Sequence, residues 1–298
     1  MSLTPKDLKA AYDRGENISA LLRSHSGAMA NSEDIIQLSY DLQAGSYVAV
    51  QNQDPWREIL SRYALAVADH LSSLGSFHSL LDAGVGEATT LLRVLQGMPQ
   101  KPAVVHGVDI SWSRLKIGGE WFVSQGGPAD TQFIVATMSH LPYADNSFDV
   151  VYTSHAVEPN GGREAELLAE LCRVASRYVV LFEPGYELAP PEAQQRMAQH
   201  GYCRDLPGHA RALGMTVVKH ELLSACPNPN NPTAVTIIAK NPDAAQSIPS
   251  LVCPQYRTPI FIADDLYYSA DSLRAYPVLR GIPCLKPEHA IIASKLTP

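Results

Sequence analysis

The chain has little cysteine, no excess of positive charge and no long apolar run, and each shortage removes a class of protein. Five cysteines in 298 residues, an odd and scattered set, do not make a disulfide framework and fit a reducing compartment. Lys and Arg number 23 against 30 Asp and Glu, a formal net charge of −7, so a broad nucleic-acid groove lined with clustered cations is not expected. No stretch approaches the roughly 20 apolar residues of a membrane span, and Met1-Ser-Leu-Thr-Pro-Lys lacks the pattern of a signal peptide. The expectation is a cytoplasmic protein. What is present, 46% hydrophobic and 18% charged residues, suffices for one large domain and a small one.

The most informative stretch is Ser79-Leu-Leu-Asp-Ala-Gly-Val-Gly-Glu-Ala-Thr-Thr90. A short apolar run ends in Asp82, bends through Gly84 and Gly86, and passes into the helical pattern Thr90-Leu-Leu-Arg-Val-Leu95. This is a buried strand, a tight turn and a helix, the unit that holds nucleotide-like ligands at the carboxyl end of a strand. Glycine at the bend lets the backbone take positive φ and approach a ligand closely. Ala103-Val-Val-His-Gly-Val-Asp-Ile-Ser111 then reads as a second strand ending in Asp109, a carboxylate able to accept from both hydroxyls of a ribose, with Ser111 as the next helix cap. Phe133-Ile-Val-Ala-Thr-Met-Ser-His-Leu-Pro142 supplies a third strand and its loop, and Asp145-Asn-Ser-Phe-Asp-Val-Val-Tyr-Thr-Ser-His155 a turn entering a fourth.

With these residues in series, the chain resembles the class I S-adenosylmethionine-dependent methyltransferases, in particular the ubiquinone and menaquinone biosynthesis branch. The resemblance covers roughly 165 residues and implies a seven-stranded, mostly parallel Rossmann-like α/β sheet, with an N-terminal helical segment over residues 1–76, the cofactor-binding domain over 77–242, and S-adenosylmethionine as cofactor. It implies that Asp82, Gly84 and Gly86 form the loop beside the methionine portion, with Ala88 where a third glycine is usual. It further implies that Asp109 binds the ribose, that Ile110 lies against the adenine, that Met138 and Ser139 form the adenine loop with Thr137 in place of an acid, and that Ser154 lies among the cofactor contacts. Tyr40 and Tyr47 are candidates for a lid over the cofactor or for half-buried packing. A nicotinamide-dependent oxidoreductase shares the glycine loop and the acid, but its Gly-x-Gly-x-x-Gly fingerprint fails at Thr89.

Helical spacing in the first 76 residues predicts helices around Leu8 to Tyr12, Ile18 to Leu22, Ile35 to Leu42 and Trp56 to Leu74. Past the fourth strand, Arg163 to Ala175 reads as a helix, Arg177 to Pro184 as a strand, Pro191 to Leu213 as mostly helical, and Gly214 to Leu222 and Thr233 to Ala239 as a closing strand pair.

Alignment of nucleophile, methyl and sulfur can supply much of the catalysis of methyl transfer. A base is needed only where the acceptor carries a proton of high pKa. His155, Glu158 and Glu183, at the ends of the fourth and fifth strands, are the candidates, and His155 serves equally well as a pocket wall or a backbone partner. His200 and Tyr202 line an acceptor pocket or pack.

Residues 247–298 resemble the small zinc-ribbon-derived activator of tRNA, ribosomal RNA and release-factor methyltransferases, through Leu251-Val-Cys-Pro254, Thr258-Pro259 and Tyr276-Pro-Val-Leu-Arg-Gly-Ile-Pro283. A small α+β domain is implied. Only Cys253 and Cys284 remain and Tyr256 stands where a paired cysteine belongs, so no metal is expected and both cysteines read as buried hydrophobes. The expected acceptor is a small molecule, a metabolite or sugar-containing compound, with no membrane and with a homodimer as the further partner considered. Two other readings stand: an RNA or protein methyltransferase with a built-in activator, and a non-catalytic cofactor-binding assembly protein.

Overall fold

The structure is a computed structural model and describes residues 3–296. Its first quarter is helical because the local signals agree. Thr4 and Asp7 cap α1 (Pro5–Asp13) reciprocally, Asn17 caps α2 (Ile18–Ser26) and Ser32 caps α3 (Glu33–Leu42). Each side chain satisfies an amide that the first helical turn leaves unpaired. The short α4 (Ser46–Val50) and the long α5 (Trp56–Ser72) follow. Leu8, Ala11 and Ile18 form a small core of their own, whereas α5 buries Val67, Ala68 and Leu71 in the main one.

Strands and helices then alternate: β1 (Ser79–Ala83), α6 (Thr89–Gly97), β2 (Val104–Asp109), α7 (Trp112–Ser124), β3 (Gln132–Val135), β4 (Phe148–Ser154), α8 (Glu164–Val174) and β5 (Ala175–Pro184). Next come α9 (Pro191–His200), α10 (Leu206–Ala212), β6 (Thr216–Leu222) and β7 (Thr233–Ala239). The sheet order is β3-β2-β1-β4-β5-β7-β6, and β7 alone runs against the direction of the other six strands. The expected seven-stranded, mostly parallel α/β sheet is therefore present. Strand order reverses between β1 and β4, so the loops leaving these two strands diverge and open a crevice at their carboxyl ends. The helical run expected over 191–213 is broken at Gly201, which takes the left-handed conformation after α9.

Two faces of the sheet are filled. Leu91, Leu95, Phe122 and Phe182 lie on one side, and Leu167, Leu171, Val179 and Leu181 on the other. In the Asp145-Asn-Ser-Phe-Asp149 turn, Phe148 is fully buried and Asp149 ties three segments together. One oxygen of its carboxylate accepts from the amides of His78 (2.6 Å) and Ser79 (3.3 Å), and the other from that of Ser247 (2.7 Å).

The C-terminal segment contains β8 (Phe261–Ala263), β9 (Leu266–Ser269), β10 (Arg274–Leu279), β11 (Ile282–Pro283) and β12 (Ile291–Ile292). Among the described residues its only helical element is a 3-10 turn at Pro287–His289, so the expected α+β character gives way to β-structure. The period-2 text around Tyr276 and the short spacing between turns leave no room for a helix of two or three turns. Cys253, Tyr276 and Leu285 are buried in the same core as Tyr143 and Phe148. Backbone bonds join the tail to the sheet: the Leu285 amide donates to the Val135 carbonyl (2.8 Å) and the Val252 amide to that of Pro142 (3.0 Å). Among the described residues, no group of three or more His, Cys, Asp or Glu could hold a metal ion, and no helix is long and apolar enough to cross a membrane.

Candidate active site

The crevice between the β1 and β4 loops is lined by Gly84, Asp109, Ile110, Met138, His155 and Ala156 from the sheet, and by Ile36 and Tyr40 of α3 above it. Gly84 has φ +93°, and a Cβ there would stand 2.2 Å from the Cβ of Ala156. The first glycine is therefore required by contact between the two loops, a constraint invisible in the local sequence. Ala88 also takes positive φ (53°), so alanine in the place of a third glycine leaves a left-handed backbone at the entrance to α6.

Asp82 is buried at the end of β1. Its Oδ2 accepts a bond from the Tyr152 hydroxyl, while Oδ1 has no partner. Burial raises its pKa to about 7 against the lowering effect of the Tyr152 bond. Asp109 ends β2 with both oxygens engaged by backbone, Oδ2 by the Gly86 amide and Oδ1 by the Ser111 amide, each at 2.9 Å. Each oxygen retains a lone pair for a further donor.

Arg114, in the first turn of α7, was not marked by the sequence. Its side chain is buried against the glycine loop, with Nε 3.8 Å from Glu87 and without a hydrogen-bond partner. The guanidinium lies over the rings of Tyr40 (5.2 Å) and Tyr47 (4.6 Å). Tyr40 thus lines the crevice, whereas Tyr47 is 42% exposed and reaches the site only through Arg114. Glu87 and Asp41 were also missed. Glu87 is buried and accepts from the amides of Gly45 (3.0 Å) and Val48 (2.7 Å), which fixes α4 on the loop. Asp41 accepts from the hydroxyls of Ser111 (2.7 Å) and Ser113 (3.0 Å), which ties α3 to α7. A carboxylate inside a helical pattern reads as a solvated face, and only the fold turns these two inward.

Ser139 is bonded to the crevice wall: its hydroxyl donates to Glu33 (3.2 Å) and contacts that of Thr137 (3.0 Å), two residues that line the crevice. Ser154 bonds the Tyr63 hydroxyl at 2.8 Å. Glu183 is buried with both oxygens occupied, accepting from the amides of Ala156 (3.0 Å), Val157 (3.1 Å) and Glu158 (2.9 Å). Burial raises its pKa, opposed by His155 and by these amides. This carboxylate acts as a clamp on the turn after β4. His155 sits in that turn at φ 53°, with Nδ1 against Glu158 and Nε2 2.8 Å from the Thr233 hydroxyl. Burial pulls its pKa down, but the charge and hydrogen bond of Glu158 outweigh this and the net shift is upward.

A second cavity, of about 250 Å³, shares Tyr40 and Pro159 with the crevice and reaches Tyr12, Arg23, Asn31, His200 and Tyr202. The His200 and Tyr202 rings stack at 5.3 Å, so the two residues face the cavity as a pair.

Residues 80–177 match the family model described as a methyltransferase domain. Ajmaline N-methyltransferase of Rauvolfia serpentina is 26% identical over 137 residues, 45% of this chain and 46% of that protein. The chain thus spans about half the length of this curated relative. Magnesium protoporphyrin IX methyltransferase (ChlM) of Synechocystis PCC 6803, solved with bound SAH, aligns with a TM-score of 0.54 at 13% identity, covering 70% of this chain and 100% of that one. The cyclase SpnF aligns at 0.53 with 14% identity, covering 74% and 97%. At these identities the likeness is one of fold, and a methyltransferase and a cyclase share it. The loop from Asp82 to Gly86 and the acid at the end of β2 both lie within residues 80–177, the part of the chain that matches the methyltransferase-domain model.

Proposed function

We propose that the chain transfers a methyl group from S-adenosylmethionine to a small-molecule acceptor. The observation that carries this reading is the orphaned Oδ1 of Asp82, buried beside the loop of Gly84 and Gly86 and awaiting a donor. An ammonium group is such a donor, and an amino-acid portion offers one. The unpartnered Nε of Arg114 complements a carboxylate at the same loop. The remaining lone pairs of Asp109 suit ribose hydroxyls, and Ile110 and Met138 give the apolar walls that a base requires. S-adenosylmethionine, when bound, supplies a methyl group on a sulfonium that is displaced in line.

The chain's own residues orient the partners and handle any proton. Glu183 fixes the amides of Ala156, Val157 and Glu158, and with them the His155 side chain. Where the acceptor must lose a proton, the Glu158 and His155 pair is the proton acceptor in this reading, since Glu183 has both oxygens spent on backbone. Thr233 holds Nε2 of His155, so a proton arriving at the pair is shared with Glu158 through Nδ1. The acceptor occupies the second cavity, whose size suits a small compound. The tail acts as a built-in support for the lid: Nζ of Lys286, a buried lysine, donates to the Gln37 side chain of α3 at 2.6 Å.

The test is a calorimetric titration with S-adenosylhomocysteine, with NADH in a parallel cell, followed by transfer of labelled methyl from S-adenosylmethionine to small-molecule extracts. Micromolar binding of the first ligand alone and label in a small product support the reading. Binding of NADH, or of neither, overturns it.

A further inference from the structure

The segment 136–144 that follows β3 carries no acid, yet a carboxylate stands against it. Glu33, the first residue of α3, lines the crevice together with Thr137 and Met138 of that segment. Its Oε2 accepts from the hydroxyl of Ser139, 106 positions away in the chain, at 3.2 Å. Two cations are near: Nη1 of Arg163 lies 3.4 Å from Oε2, and Nζ of Lys286 lies 4.0 Å from Oε1. Both have carboxylates of their own. Glu166 holds Arg163 through two bonds of 2.9 and 2.8 Å, and Glu288 is paired with Lys286, so neutralising them does not require Glu33. Among the described residues no hydrogen bond reaches Oε1 of Glu33.

The carboxylate gives the hydroxyls of this segment a direction. A serine hydroxyl has a single proton. That of Ser139 goes to Glu33, a stronger acceptor than Nδ1 of His140, which lies 3.1 Å from the same oxygen. In the 3.0 Å contact between Ser139 and Thr137 the threonine is therefore the donor. With its proton turned towards Ser139, Oγ1 of Thr137 keeps its lone pairs, engaged only by the Ser139 amide at 3.4 Å. Both polar groups offered here, Oγ1 of Thr137 and Oε1 of Glu33, are thus acceptors. Without the carboxylate the chain of hydroxyls is free to run the other way and present a proton.

Resting on the methyltransferase reading, we propose that Glu33 determines specificity for the base of the cofactor: it makes this part of the crevice accept hydrogen bonds only, and so selects a purine with an exocyclic amine over one with an oxygen there. Ile110 and Met138 supply apolar faces for a flat base, and Met138 adjoins both Thr137 and Ser139 in the chain. An amine can donate to the Thr137 oxygen and to Glu33, whereas a carbonyl oxygen in its place meets lone pairs and leaves them unpaired. The selecting residue sits on the lid and not on the sheet. Asp41 ties the other end of α3 to α7, so an amine bound at Glu33 also holds α3 over the crevice. A base without the amine loses that hold.

The experiment compares S-adenosylhomocysteine with S-inosylhomocysteine, in which an oxygen replaces the amine of the base, by calorimetry on the full chain. Amino-acid and ribose contacts are common to both ligands, so the ratio of their affinities reads the base alone. S-adenosylhomocysteine is expected to bind roughly ten- to a hundredfold more tightly. Glu33→Gln keeps the shape and, with its oxygen accepting from Ser139, puts a donor where Oε1 stood; it is expected to erase most of the ratio. Lost lid support would weaken both ligands alike and leave the ratio as it was. Thr137→Val removes the oriented acceptor without touching the lid, is expected to lower the ratio as well, and decides the matter should Glu33→Gln fail to fold. Equal affinity for the two ligands in the unmodified chain, or a ratio that survives these substitutions, would overturn the proposal and leave the methyltransferase reading standing. Binding of neither ligand would overturn both.

Discussion

Gly86 and Arg114 are matched to each other: a Cβ on residue 86 would come within 2.7 Å of Nη2 of Arg114. The second glycine of the loop therefore makes room for a side chain of this protein as well as for a ligand. Arg114 in turn connects the loop to the lid, since its charge lies over Tyr40 and Tyr47 and close to Glu87.

Replacing Arg114 by methionine keeps most of the apolar stem and removes the charge. If the guanidinium meets the carboxylate of the cofactor, S-adenosylhomocysteine should bind about ten- to a hundredfold more weakly, while 5′-methylthioadenosine, which lacks the amino-acid portion, should bind as before. Parallel titrations decide, and an equal loss for both ligands would show that Arg114 only supports the lid.

Asp109→Asn tests the ribose acid with little change of shape. The amide still accepts one backbone bond but loses the charge, and affinity for S-adenosylhomocysteine should fall roughly tenfold or more. Unchanged affinity in a folded variant would refute the assignment.

Asp82 gives a prediction in pH. Its carboxyl is raised to about 7 by burial, so below that pH the free protein holds it neutral and above it charged. A charged ligand ammonium favours the ionised form. Affinity for S-adenosylhomocysteine should therefore rise as pH increases through about 7 and fall on the acid side, and Asp82→Asn should flatten the profile. Titrations from pH 5.5 to 8.5 measure this, and a flat profile in the unmodified chain would contradict the role. The sign for stability is opposite. With the folded value above the unfolded one, the protonated carboxyl is favoured at low pH, and that contribution is lost as pH rises towards 7.

Glu183→Gln should act on stability before it acts on chemistry. The carboxamide presents an N–H where an oxygen now accepts from backbone, so the turn over 156–158 loses at least one charge-assisted bond, a loss of about 1–3 kcal/mol. At about 2–4 °C per kcal/mol for domains of 150–250 residues, the melting temperature should drop by several degrees. A variant with unchanged melting temperature but no turnover would make Glu183 a catalytic group instead.

Ending the chain at residue 244 should uncover Tyr143 and Phe148, which share a core with Cys253, Tyr276 and Leu285, and should remove the Ser247 bond to Asp149. Aggregation or a large fall in melting temperature is expected. A truncated chain that stays monomeric with unchanged melting temperature would show that the tail contributes little.

What the sequence determined by itself is local. The caps at Thr4, Asn17, Ser32 and Ser111, the apolar strands at 79–83 and 233–239, the bends at Gly84 and Gly86, and the acids at the ends of β1 and β2 all follow from short-range rules of propensity, turn geometry and alternation, which a single chain displays in order. Tertiary structure alone decided which charges matter. Glu183 became a clamp because β5 brings it beneath the amides of the β4 turn, and Glu87, Asp41 and Arg114 turned inward because α3 and α4 fold back over the loop. Burial and pairing fix the energy of a charged group, and both depend on neighbours distant in sequence. Residue type and spacing do not carry that information.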